Sequence, residues 1–141
     1  MQKNGSTESQ FHRRDIAEIA VGACIMAFPV AVTEEVWNLG ADLSLWRALL
    51  FALASVSFLA ICIYVLHGHA ASSLTQKAFL RRVAVTYGLT LLISALLLLG
   101  VDRFDLLQDP VIALKRTILV AFPASFAATA VDSFTDDKKG R

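Results

Sequence analysis

Four long runs of apolar residues, none of them alternating with polar ones, constrain this chain more than any motif. They cover 16–37, 46–66, 83–101 and 111–131. A bilayer core about 30 Å thick needs about 20 mostly apolar helical residues to cross it, and each run meets that length. Strands of a transmembrane barrel alternate, so continuous runs argue against one. The expected fold is therefore all-α: a polytopic membrane protein with four transmembrane helices in one domain over 16–134. A polar tail over 1–15 is expected to be disordered, and a short second tail covers 135–141. The tail and the loop 67–82 are too short to fold alone, so any activity must sit in the helices and their connections.

Composition agrees. The chain is 56% hydrophobic and only 18% charged, with a mean hydropathy of +0.60. Soluble domains carry about 25% charged residues. A net charge of +1 gives no reason to expect nucleic acid as a partner. The first run is not a cleaved signal peptide, because it is longer than an h-region and contains Pro29, Glu34 and Glu35. Cys24 and Cys62 lie inside runs and read as small hydrophobes. His67-Gly68-His69 lacks the third ligand that a zinc site needs. No nucleophile elbow, phosphate loop or HExxH pattern occurs, so neither an enzyme, a cofactor nor a metal is expected.

An even number of spans puts both termini on one side. Lys3, Arg13, Arg14, Lys77, Arg81, Arg82, Lys138, Lys139 and Arg141 fall there; Arg47, Arg103, Lys115 and Arg116 fall on the other. The positive-inside rule then places both termini in the cytoplasm of a bacterial inner membrane. The outer side carries Glu34, Glu35, Asp42, Asp102, Asp105 and Asp109. Acids gathered at a membrane surface concentrate cations there.

Small residues line one face of the first run (Ala20, Ala23, Ala27, Ala31) and of the last (Thr117, Ala121, Ala124, Ala128). Such faces let helix backbones approach closely in lipid, so these two helices should meet each other or a second copy. The third run is Leu-rich and faces lipid, except for Thr86, Thr90 and Ser94, one inward stripe of hydroxyls bonded back to the helix or across it. Pro29 and Pro123, each within an Ala-Phe-Pro triplet near mid-span, predict two kinks. Asp109-Pro110 reads as an N-cap and first helical residue. Trp37, Trp46 and Tyr64 suit an interfacial aromatic belt.

The charges at membrane depth are the functional candidates. If the prolines mark the midplane, Glu34 and Glu35 lie roughly 7.5–9 Å toward the outside, and Arg116 and Lys115 roughly 10–12 Å the same way. The matched depths predict that one glutamate pairs with Arg116 or Lys115. That pair is either a lock between the first and last helices or part of an ion or proton site.

Pro29, Thr33, Glu35, Val36, Trp37 and Gly40 form a P-x-x-x-T-x-E-V-W-x-x-G pattern. Phe122, Pro123, Ser125 and Phe126 form F-P-x-S-F. Together these resemble a bacterial family of integral membrane proteins of unknown function. The resemblance implies a helical membrane protein, assigns no activity, and makes Glu35 the family's glutamate. Glu34 stands where that family has an apolar residue.

The expected function is a small homo-oligomeric channel or pore conducting cations or protons, embedded in the lipid bilayer. Glu35 and Glu34, with Thr33, would line the path at the outer mouth, and Arg116 or Lys115 would hold the acids in place. The alternatives are a proton-coupled small-molecule transporter acting as a dimer, and a non-transporting structural membrane subunit.

Overall fold

The computed structural model describes residues 13–73, 76–104 and 107–137. Every element among them is an α-helix: α1 (Arg13–Ala31), α2 (Glu34–Asp42), α3 (Leu45–Ser73), α4 (Gln76–Gly100) and α5 (Pro110–Asp137). Three helices contain stretches long and apolar enough to cross a membrane, Leu45–Val65, Gln76–Gly100 and Pro110–Val131. They become four if α1 and α2, which meet at 81°, count as one broken span.

That break is the main departure from the expected helices. The run 16–37 does not form one helix: α1 stops at Ala31 and α2 starts at Glu34. Pro29 cannot donate to the carbonyl four residues earlier, which weakens the end of α1. Thr33 then adopts an extended conformation, with φ −90° and ψ 135°. Its amide turns back to the Val30 carbonyl at 3.3 Å, and its hydroxyl donates to the same oxygen at 2.9 Å. Glu34 and Glu35 restart the helix, because acids in a first turn favour a helix N-terminus. Pro123 has no such effect, since α5 runs from Pro110 to Asp137 without a break in its assignment.

The inner connection also differs. The segment 67–82 is mostly helical, with α3 continuing to Ser73 and α4 beginning at Gln76. His67-Gly68-His69 therefore lies within α3 rather than in the expected loop, and its side chains are outside the described residues. Of the expected disordered tail 1–15, residues 13–15 belong to α1, and 1–12 lie outside the described residues. Of the tail 135–141, residues 135–137 belong to α5 and 138–141 lie outside.

Helix α5 is the axis of the molecule and packs against α1, α2, α3 and α4. Small residues make this possible. Ala23, Ala27 and Ala31 of α1 and Ala121, Ala124 and Ala128 of α5 are all fully buried. At Gly22 the two backbones come so close that an added Cβ would sit 2.7 Å from the Ala127 carbonyl oxygen and 2.9 Å from Ala128 Cα. The small faces read from the sequence thus meet each other within one chain.

On the other side, aromatic rings join α3 to α5. Phe51 meets Phe122 edge to face at 5.9 Å, Phe122 meets Phe126 at 4.9 Å, and Phe126 meets Phe58 at 4.3 Å. Such T-shaped pairs add stability beyond the area they bury. Ser125 and Thr129 donate to the Phe122 and Ser125 carbonyls at 2.8 and 2.9 Å, so their hydroxyls are satisfied within α5.

The Leu-rich α4 exposes Leu92, Leu96 and Leu99 and buries Thr86, Thr90 and Ser94. The Thr90 hydroxyl bonds back to the Thr86 and Tyr87 carbonyls at 3.1 and 2.8 Å, whereas the buried Ser94 hydroxyl has no hydrogen-bond partner among the described residues. Asp109 caps α5, its carboxylate accepting from the amides of Val111 and Ile112 at 3.1 and 3.2 Å.

Candidate functional site

The site is the end of the bundle where α2 lies across α5, and it is built by the residues that make this crossing possible. Gly40 is the seat. It is buried, and an added Cβ there would lie 2.5 Å from Arg116 Cγ and 3.4 Å from the Arg116 Cα and amide nitrogen. With no side chain at Gly40, the α2 backbone rests directly on Arg116. Val36 packs into the core beside the seat, and Leu43 is buried with Ala48 and Leu119.

Both cations of α5 are buried here. Lys115 is 7% exposed and Arg116 9%. Charges withdrawn this far from water need strong partners, and backbone carbonyls of α2, its C-cap and the α4–α5 turn supply them. Lys115 Nζ donates to the carbonyls of Ala41 at 3.1 Å and Leu43 at 2.9 Å. Arg116 Nε donates to the Trp37 carbonyl at 3.3 Å, and its Nη1 to the Arg103 carbonyl at 2.9 Å. A helix C-terminus carries unsatisfied carbonyls and a partial negative charge. The last turn of α2 holds no basic residue of its own, so Lys115 caps it from a neighbouring helix, while Arg116 ties the Trp37 carbonyl to the α4–α5 turn.

Trp37 ties the break together. Its indole nitrogen donates to the Ala31 carbonyl at 2.7 Å, satisfying an orphan group at the end of α1. The Arg103 guanidinium lies 4.1 Å above the centre of its ring, a cation–π contact. Arg103 is delivered by a tight turn that closes α4. The Arg103 amide bonds to the Leu98 carbonyl at 2.9 Å and the Asp102 amide to Leu99 at 3.1 Å, with Asp102 in the left-handed region at φ 57°. This pattern is a Schellman cap. An aromatic belt residue in the sequence is therefore a structural clasp between the α1–α2 break and the α4–α5 turn. Trp46 and Tyr64 are exposed, at 69% and 63%.

The acids stand apart from this clamp. Glu34 and Glu35 occupy the first turn of α2, and both are exposed. The predicted pairing of a glutamate with Arg116 or Lys115 is replaced by a different arrangement. About 9 Å of helix separates Glu35 from Ala41, where Lys115 is engaged, while Arg116 donates to the carbonyls of Trp37 and Arg103. Glu34 and Glu35 thus sit at the N-terminal end of the α2 dipole and Lys115 at its C-terminal end. Among the described residues neither glutamate carboxylate forms a hydrogen bond or an ion pair. Thr33 precedes them as N-cap without a side-chain capping bond, because its hydroxyl is turned to Val30.

Sequence reasoning therefore found the charged residues at this end and missed three that build it: Arg103, and Trp37 and Gly40 in their actual roles. Gly40 carried a usable signal, since a glycine nine-residue helices can ill spare points to close backbone approach. No group of three or more His, Cys, Asp or Glu side chains able to hold a metal occurs among the described residues.

A family model described as "Putative integral membrane protein (DUF2391)" matches residues 1–131. The chain belongs to this family. The integral-membrane character of the family agrees with the apolar helices above. Neither the curated proteins nor the solved structures contain a match to the chain.

Proposed function

We propose that this family member is a homo-oligomeric membrane channel that passes cations between copies, with Glu35 and Glu34 at its mouth. Both termini would face the cytoplasm of a bacterial inner membrane. One observation carries the reading: Glu35 is a charged motif residue left exposed and unbonded on the rim of the bundle. The motif residues around it have tasks within the chain. Thr33 closes the turn after α1, Val36 joins the core, Trp37 holds Ala31, and Gly40 seats Arg116. Glu35 has no comparable contact. Fully buried Ala and Val side chains fill the α1–α5 axis, so the path belongs between copies and not within one. Carboxylates repeated around a symmetry axis attract cations and repel anions.

The test is cation flux into liposomes holding the purified full-length protein. Wild type is expected to carry potassium or sodium, and Glu35→Gln to carry several-fold less. Equal flux from both, or none from either, overturns the channel.

A second reading, a structural membrane subunit that transports nothing, is favoured by the capping of α2 by Lys115 and by the bonds of Arg116 to the Trp37 and Arg103 carbonyls. There the cations serve architecture alone. Under it, neither wild type nor Glu35→Gln gives flux, and both fold to the same stability.

A further inference from the structure

The rim that bears the acid pair also bears an unmatched base. Arg47 lies in the first turn of α3, is exposed, and has no acidic residue in that turn. A cation at a helix N-terminus opposes the helix dipole, so this is an unfavourable place for a lone arginine. Among the described residues Arg47 forms no hydrogen bond or ion pair, and the same holds for Glu34, Glu35 and Asp42. The acids stand at one end of α2 and Arg47 follows the other end, with about 13 Å of helix between them. One copy cannot bring its own pair together across that length without undoing the clamp on α2. Two copies side by side can. Exposed apolar side chains flank the charges, Leu39 at 45%, Leu45 at 46% and Trp46 at 69%.

We propose that a second copy of this chain docks on this rim, with Glu34 and Glu35 of one copy against Arg47 of the next. The proposal rests on the homo-oligomer reading above and names its contact. An anionic lipid headgroup suits the rim less well. Every charged residue of α2, the helix that precedes Arg47, is an exposed acid, which disfavours a phosphate. A second copy satisfies base and acids at once, and its apolar flank covers Leu39 and Trp46.

The experiment measures the mass of the full-length protein in mild detergent by light scattering over a dilution series. Arg47→Glu is expected to need about fivefold or more protein to assemble, as is the chain carrying Glu34→Arg with Glu35→Arg. The chain carrying all three substitutions is expected to regain most of the wild-type assembly, which a merely misfolded variant would not do. Arg47→Gln, which keeps the stem and removes the charge, is expected to fall between. Four variants with the mass profile of wild type overturn the proposal, and so does a triple variant as dissociated as its parents. If Arg47→Glu keeps its mass but no longer binds vesicles rich in anionic phospholipid, the rim serves lipid and the proposal is wrong. An intact oligomer without flux removes the channel and leaves this contact. Flux with a mass unaffected by the charge swap removes this contact and leaves the channel.

Discussion

The same substitution at two glycines should move stability in opposite directions. Gly22→Ala places a Cβ 2.7 Å from the Ala127 carbonyl oxygen, 2.9 Å from Ala128 Cα and 3.0 Å from the Ala127 carbonyl carbon. All three are backbone atoms of α5 and cannot rotate aside. They fall short of ordinary van der Waals contact by about 0.4–0.7 Å, on the steep side of the repulsive wall. The α1–α5 pair must therefore spread along the most extensive contact in the molecule. Overpacking of this kind costs about 1–3 kcal/mol, and better helix propensity returns about 1 kcal/mol. Gly88→Ala, by contrast, meets nothing within 4 Å, so it keeps the propensity gain alone, about 0.5–1 kcal/mol. The two variants should differ by about 0.5–3 kcal/mol, with wild type between them. Unfolding in mixed micelles, followed by far-UV circular dichroism as denaturing detergent is added, measures the difference. If both variants shift the same way, or Gly22→Ala matches Gly88→Ala, the close approach of α1 and α5 is not what holds this bundle.

Three further outcomes follow from the clamp and its turns. Lys115→Met keeps the apolar stem but strands the Ala41 and Leu43 carbonyls; stability should fall by about 2–4 kcal/mol, and the α2 amides should exchange faster with deuterium than those of α4. Trp37→Phe removes the indole bond to Ala31 and should cost about 1–3 kcal/mol in thermal unfolding; an unchanged midpoint would mean that the ring, not the N–H, holds the break. Asp102→Gly relieves a left-handed residue at φ 57° and should stabilise by up to about 1 kcal/mol on the same scan.

The spanning helices were legible because lipid leaves little choice. Every backbone group must find its bond inside the segment, so a long apolar run becomes a helix whatever its neighbours do. The α1–α5 contact was legible for a related reason, since stripes of alanine have few other uses in a bilayer. The break at Thr33 was not, because a proline near mid-span fits a kink as well as a stop. Pro29 and Pro123 share the triplet Ala-Phe-Pro, yet only the first is followed by a helix end. The difference lies downstream. Glu34-Glu35 starts a new helix after Thr33, whereas Ser125 and Phe126 after Pro123 bond and pack within α5. The partners of Lys115 and Arg116 were illegible for another reason. Depth along the membrane normal was inferable, but their partners are carbonyls, which every residue carries and no pattern of side chains reveals.

The central place of α5 has a consequence for how this protein is made. The Trp37 carbonyl waits for a donor 79 residues further along the chain, and the small face of α1 waits for α5, which is made after the other four described helices. Until α5 enters the bilayer, α1 has only α4 to lie against and α2 has no cap on its carbonyl end. The bundle therefore closes when α5 arrives. A stalled or truncated chain lacking that span would offer membrane quality control a broken first helix with bare polar backbone, a ready mark for removal.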